Sequence, residues 1–246
     1  MDFSIFYISF DKTQTFRKGS AKAPKIIRNI FPKLETYISG IDLTNIFIKE
    51  NFISAKNFNE LNEKINTMFS NLKEKFPIII GGEHSISYFT IKQIKPDYIV
   101  WLDAHPDCEN KNFGHDSVLK YLIEDGYKAL LYGIRTYSKE EEKFLRENKI
   151  KILKNINEIK KIKGKIYLSI DFDILDPSIM PAVGNPEING ISVLELQNII
   201  KILASKLCAI DFVEYTPLNC KCDEISKTIA AKIIYFSLAE IFKNSK

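Results

Sequence analysis

The amino-acid sequence predicts a three-layer α/β/α fold with a mostly parallel central sheet. Strand-like and helix-like segments alternate from one end to the other. The strand-like ones are near-continuous apolar runs, as expected of strands covered on both faces. Acidic and imidazole side chains gather just after three of those runs, at the sheet edge where such folds bind ligands.

The first strand is "SIFYISF" (4–10), rich in aromatics and isoleucine. "KAPKIIRNIF" follows as a helix with Pro24 near its start. Over residues 57–75, Phe58, Leu61, Ile65, Met68, Phe69 and Leu72 recur at helical spacing and predict an amphipathic helix. "PIIIGG" (77–82) is a strand halted by paired glycines, and a helix begins near Ser85. "DYIVWLD" (97–103) and "ALLYGI" (129–134) are strands flanking "SVLKYLIEDG" (117–126), a helix closed by Gly126. Ser138 caps a helix in "SKEEEKFLREN", and Ser192 with Glu195 predicts a capping box opening a helix over 192–205. "KIYLSIDFD" (165–173) and "LCAIDFVE" (207–214) complete the strands, and a last helix runs from about Ile225 to Phe242. No linker or repeat divides the chain, so residues 1–246 read as one domain.

Composition narrows the partners. With 45% hydrophobic and 27% charged residues over 246 positions, the balance is that of a soluble protein with a sizeable core. The net charge is only +4, and the densest lysine cluster, "KNINEIKKIKGKIY", is interleaved with isoleucine as in an amphipathic element. It reads as a solvated face, and no nucleic-acid partner is expected. Cys108, Cys208, Cys220 and Cys222 show no framework spacing, which places the chain in a reducing cytoplasm. "MDFSIFYISFDK" reads as a first strand and not as a signal peptide. No apolar run reaches the ~20 residues that cross a bilayer, so no membrane is expected either.

The chemistry lies at the strand ends. "PIIIGGEHS" delivers His84, "DYIVWLDAHPD" delivers Asp103, His105 and Asp107, and "KIYLSIDFD" delivers Asp171 and Asp173. Side chains of an extended chain alternate, so 103, 105 and 107 are expected to point one way, and 171 and 173 likewise. Four carboxylates brought together repel one another unless cations intervene. Two divalent ions balance them, His84 and His105 add nitrogen ligands, and an oxygen-rich set of this kind suits Mn²⁺. Two such ions lower the pKa of a shared water toward ~7.

These segments resemble the ureohydrolases, the family of arginase and agmatinase. Its signatures G-G-x-H-S, D-A-H-x-D and S-x-D-x-D-x-x-D-P stand here as "GGEHS" (81–85), "DAHPD" (103–107) and "SIDFDILDP" (169–177). "FRKGSAKAPKIIR", "YGIR", "PAVGNPEINGIS" and "FVEYTP" resemble lesser family segments, so the likeness spans nearly the whole chain. The resemblance implies two Mn²⁺ per subunit, held by His84, Asp103, His105, Asp107, Asp171 and Asp173. It implies hydrolysis of a small cationic guanidine to urea and an amine, with Asp107 and Asp171 in shared metal coordination. Glu214 matches the carboxylate that holds the guanidinium, a planar cation suited to bidentate acceptors. His115 lies where the family places a proton-shuttling histidine. The family also implies a trimer or hexamer.

Departures bear on the substrate. Asn185 stands where Thr is usual and keeps a hydrogen-bonding amide toward substrate; Thr216 stands where Asn is usual. Only "CENKNFG" separates Asp107 from His115, shorter than the arginase loop that cradles the amino-acid head group. That favours agmatine, giving putrescine. The alternatives are a ureohydrolase acting on arginine, a guanidino acid, aminopropylagmatine or formimidoylglutamate, or a catalytically silent metal-binding subunit. Cys108 and Asp176 read as structural, the latter as a turn residue.

Overall fold

The structure is a computed structural model that describes residues 1–72 and 75–245, except the side chains of residues 156 and 222. In chain order the strands are β1 (Phe3–Ser9), β2 (Tyr37–Ile38), β3 (Ile41–Asp42), β4 (Ile48–Ser54) and β5 (Phe76–Gly81). They continue as β6 (Tyr98–Leu102), β7 (Ala129–Tyr132), β8 (Lys151–Ile152), β9 (Ile166–Asp171) and β10 (Leu207–Val213). The helices are α1 (Ala23–Ile30), α2 (Phe58–Phe69), α3 (Ile86–Ile94) and α4 (Val118–Glu124). After them come α5 (Lys139–Glu147), α6 (Ile156–Ile159), α7 (Val193–Leu203) and α8 (Cys222–Asn244).

Eight strands form one sheet in the order β4-β1-β5-β10-β9-β6-β7-β8, and each neighbouring pair is parallel. The short β2 and β3 pair separately as an antiparallel hairpin. Alternate residues of each central strand enter opposite cores. Ile5, Tyr7, Ile78, Ile80, Leu168 and Ile170 pack with α1, α7 and α8. Phe6, Ile8, Ile79, Trp101 and Tyr167 pack on the other face with residues of α2 through α5. Both faces are buried, which is why these strands carry no polar alternation.

Several elements differ from the sequence expectation, each for a physical reason. The amphipathic helix expected over 57–75 ends at Phe69, where Ser70 and Asn71 side chains donate to the Thr67 carbonyl. Part of the expected extension, residues 73 and 74, lies outside the described residues. The last helix starts three residues earlier than expected, at position 222. Edge strands β4 and β8 escaped prediction because an edge needs no apolar run: β4 carries Lys49, Glu50 and Asn51, and only its Ile53 is fully buried. The box expected at Ser192 is half formed. Ser192 Oγ accepts the Glu195 N–H at 3.1 Å, but the Glu195 carboxylate accepts the Tyr132 hydroxyl instead of reaching back. At Ser138 both halves are present. The lysine-rich stretch is amphipathic as read, with Ile159, Ile162 and Ile166 buried and its lysines outward.

Register sets the functional edge. Leu102 of β6 pairs with Ile170 of β9, and Val213 of β10 with Asp171. Asp103, Asp171 and Glu214 therefore leave the sheet at neighbouring points. Consecutive β5 and β6 are separated by β10 and β9, so the chain crosses over there and opens a crevice at the carboxyl edge. The turn after β5 runs tight against β1. A Cβ on Gly82 would meet the Phe10 carbonyl oxygen at 2.1 Å, a backbone atom that cannot swing aside. Gly82→Ala is expected to cost about 2 kcal/mol through overpacking and to lower Tm by roughly 4–8 °C. A thermal melt unchanged by this substitution would contradict so close an approach.

Candidate metal centre

At the ends of the four central strands, ligand-type side chains form two overlapping groups, one of His84, Asp103 and Asp171, the other of Asp103, His105 and Asp173. His84 Nδ1 lies 3.1 Å from Asp103 Oδ2, 3.1 Å from Asp107 Oδ2 and 3.4 Å from Asp171 Oδ2. His105 Nδ1 lies 2.9 Å from Asp173 Oδ2 and 3.6 Å from Asp103 Oδ1. All six residues predicted as ligands are thus brought together.

The route differs from the extended alternation expected. β6 stops at Leu102, and Asp107 bends into the left-handed region at φ 49°. This swings its carboxylate to His84, while His105 turns to Asp173. Asp171 and Asp173 are likewise joined by a short 3-10 turn in which Asp171 Oδ1 accepts the Asp173 N–H at 2.7 Å. Glu214 also has positive φ, 64°. Such backbone is uncommon for non-glycine residues and costs of order 1–3 kcal/mol where it occurs. Here it falls on two acids of one cavity.

The electrostatics call for cations. Burial opposes ionisation of Asp103, yet the two imidazoles outweigh it and hold its carboxyl below the ordinary range. Burial would lower the His84 pKa, but Asp103, Asp107 and Asp171 raise it well above normal. Burial likewise works against His105, which Asp103 and Asp173 push up to about 12. Two imidazoles do not balance the set. Asp107 and Asp171 are raised by burial and by their neighbouring carboxylates, as is Asp173. His84 Nδ1 and Asp103 Oδ2 are buried and make no hydrogen bond, although they face each other. Ligand atoms about 3 Å apart match adjacent corners around a small cation with ~2.1 Å bonds. The residues fit divalent ions.

Behind these groups lies a layer that sequence reading missed. Asp211 accepts hydrogen bonds from Ser87 Oγ (2.6 Å), Tyr167 OH (2.7 Å) and Ser169 Oγ (2.7 Å). Having donated its proton there, Ser169 Oγ accepts from His84 Nε2 at 2.8 Å. The Nδ1 edge of His84 is therefore the one left to face the acids. A similar relay holds His115. Thr13 Oγ1 donates to Glu83 at 2.8 Å and lies 3.3 Å from His115 Nδ1, which makes Nδ1 the donor and Nε2 the free nitrogen. Burial lowers the His115 pKa, which favours the neutral ring. The signal for both relays was available only as buried polar residues within apolar strands or beside the histidines.

Glu214 accepts the His84 N–H at 2.8 Å and the Gln14 amide at 2.7 Å. Burial, then the Glu83 charge, raise it to about 8. Thr216 takes a place beside it, accepting from Gln14 at 3.3 Å. Arg135 of "YGIR" reaches the carbonyls of Asp173, Glu187 and Ile188 and ties the 185–189 loop to the site. On that loop Asn185 lies 3.1 Å from His105 Nε2, and Glu187 Oε1 lies 3.5 Å from it. Cys108 is buried in the core, its thiol donating to the Pro106 carbonyl, and Asp176 accepts from Ser178 and Gly190 as a turn residue. A cavity of about 290 Å³ is lined by Gln14, His105, Asp107, His115, Asn185 and Glu214, among others.

A sequence profile of the arginase family matches residues 1–239. The chain belongs to the arginase family. This ureohydrolase is 28% identical to N(1)-aminopropylagmatine ureohydrolase of Thermococcus kodakarensis, over 98% of this chain and 91% of that protein. It is 26% identical to an agmatinase of Pyrococcus horikoshii, over 96% of this chain and 90% of that one. The structure of an agmatine ureohydrolase of Thermoplasma volcanium superposes with a TM-score of 0.88 at 28% identity, covering 99% of this chain and 91% of that one. Family hydrolases are metal-dependent, in keeping with the candidate ligands. Among the described residues, no helix is long and apolar enough to cross a membrane.

The ureohydrolase carries its own reporter. Trp101, its single tryptophan, stacks on His84 with ring centroids 3.9 Å apart and planes 5° apart. Adding Mn²⁺ to chelator-stripped protein is expected to quench Trp101 emission, and His84→Ala to remove the response. Asp211→Asn, which disturbs the hydroxyl that orients His84, is expected to shift the midpoint to about 10–100-fold higher Mn²⁺. An unshifted titration would show that the relay does not tune the centre.

Proposed function

We propose that this ureohydrolase cleaves agmatine to putrescine and urea, with two Mn²⁺ held by His84, Asp103, His105, Asp107, Asp171 and Asp173. The observation that carries the reading is that His105, Asp107, Asp171 and Asp173 line one cavity with Glu214 and His115, and that His84 and Asp103 lie against those ligand-type residues. The agmatinase and aminopropylagmatine ureohydrolase relatives support the substrate class, as does the seven-residue stretch between Asp107 and His115. Residues 1–246 act as one catalytic unit in this reading, in the cytoplasm and as a trimer or hexamer.

Bound divalent ions supply a nucleophile at neutral pH by acidifying water. The chain's own residues do the remaining work. An ionised carboxylate offers about four lone-pair sites. Two of those on Glu214 accept from His84 N–H and Gln14, which leaves two for the paired N–H groups of a guanidinium. That cation opposes the burial that raises the Glu214 pKa. The free Nε2 of neutral His115 accepts a proton and returns it to the departing amine nitrogen, converting a poor leaving group into a good one. His105, with Nδ1 facing Asp173, keeps its Nε2–H toward Glu187 and toward the Asn185 amide, whose oxygen and nitrogen interchange by a simple flip. Asn185 thereby steadies a ligand as well as lining the cavity.

The test is urea release by Mn²⁺-loaded protein from agmatine, aminopropylagmatine, arginine and 4-guanidinobutyrate. Agmatine is expected to give the highest kcat/KM, and chelation to abolish turnover. Glu214→Gln and His115→Asn are each expected to lower kcat/KM by about 100-fold or more. A higher kcat/KM for aminopropylagmatine would move the substrate to the longer polyamine, as the relative at 28% identity suggests. Silence toward every guanidine would reject the hydrolase reading.

A further inference from the structure

The cavity widens past the candidate ligands to a mouth that includes Phe16, Arg17, Glu109, Lys111, Asp116 and Glu141. Its charges are not equally free. Lys111 pairs with Asp116. Arg17 directs its guanidinium to the carbonyls of Pro181 (2.9 Å) and Val183 (3.4 Å). Glu141 accepts the Cys108 N–H at 3.0 Å and the Ser138 N–H at 2.9 Å, so both its oxygens hold the fold together. Among the described residues no cation pairs with the Glu109 carboxylate. Its backbone is nonetheless fixed, with the N–H donated to the Asp116 carbonyl and the carbonyl accepting from Lys111, each at 3.0 Å. Glu109 and Glu141 line the same mouth, and the Glu109 charge adds to burial in raising the Glu141 pKa.

Resting on the ureohydrolase reading, we propose that Glu109 is a specificity-determining residue that receives an ammonium group on the far end of the guanidine substrate. An ammonium at this wall gains a charge-assisted hydrogen bond. A carboxylate tail meets like charge instead, with Lys111 already paired to Asp116. Phe16 is 67% exposed at the same mouth and offers its ring to the methylene chain between the two charged ends. The class of substrate is therefore a guanidine with a cationic tail, and the selection is made on the stretch between Asp107 and His115, apart from the metal-ligating atoms.

The experiment compares three guanidines of matched length on the Mn²⁺-loaded enzyme: agmatine, butylguanidine with a neutral tail, and 4-guanidinobutyrate with an anionic one. Glu109→Gln is expected to raise KM for agmatine about 10-fold or more, with kcat within two-fold and butylguanidine unchanged. Glu109→Asp should restore part of the loss, and Glu109→Lys should improve kcat/KM for 4-guanidinobutyrate relative to agmatine. Equal effects of Glu109→Gln on agmatine and butylguanidine, or no effect on either, would overturn the tail assignment and leave the hydrolase reading standing. No urea from any of the three with wild-type enzyme would instead overturn the hydrolase reading, and this proposal with it. Melting curves of each variant separate misfolding from lost recognition.

Discussion

The structure turns on like charge confined at a sheet edge. Asp103, Asp107, Asp171 and Asp173 are all buried, and parallel register leaves them no way to separate. In water such carboxylates would move apart. Here two imidazoles meet part of the demand and the remainder keeps Asp107, Asp171 and Asp173 above their ordinary pKa. An arrangement this unfavourable for the bare chain persists only because the surrounding sheet over-determines it. The two positive-φ acids belong to the same economy of strain: Asp107 and Glu214 are bent into place by hydrogen bonds of their own backbone, such as Glu214 N–H to the Gly82 carbonyl.

A second constraint follows from the first. A histidine among acids could present either nitrogen, and only one edge serves. The chain resolves this in the same manner twice, with a hydroxyl whose proton is already committed to a buried carboxylate. Ser169, bound to Asp211, orients His84; Thr13, bound to Glu83, orients His115. A hydroxyl has one proton to donate, so fixing its acceptor fixes its role toward the ring. The carboxylates behind these relays sit within the apolar layers, where their hydrogen bonds are strongest and misplacement is costliest.

The sequence made the sheet and its functional edge legible because both are written in local patterns. Apolar runs named the six strands that carry or flank the site, and the acids followed them directly. Edge strands β4 and β8 were illegible because pairing on one side needs no apolar signature. The direction of Asp107 was illegible too, since alternation assumes an extended chain and φ 49° breaks it. Asp211, Glu83 and Gln14 went unread for another reason. Their roles depend on partners 42, 70 and 200 residues away, and no local spacing encodes such distances.

In the proposed reading, reaction and selection occupy different parts of the chain. The groups suited to the chemistry stand at strand ends, where register, the Gly82 turn and the Arg135 staple leave little freedom. The groups at the mouth stand on loops, with Glu109 between two backbone hydrogen bonds and Phe16 largely in solvent. Among the described residues no hydrogen bond joins Glu109 to the ligand-type acids or their relays, so a change of charge at the mouth leaves those contacts in place. In the proposed reading, loops of this kind can retarget the tail of the substrate while Glu214 keeps the guanidinium end. The physical reason is the difference in burial: a rigid, desolvated edge can hold many charges in register, and a partly exposed loop can exchange one of them at small cost to the fold.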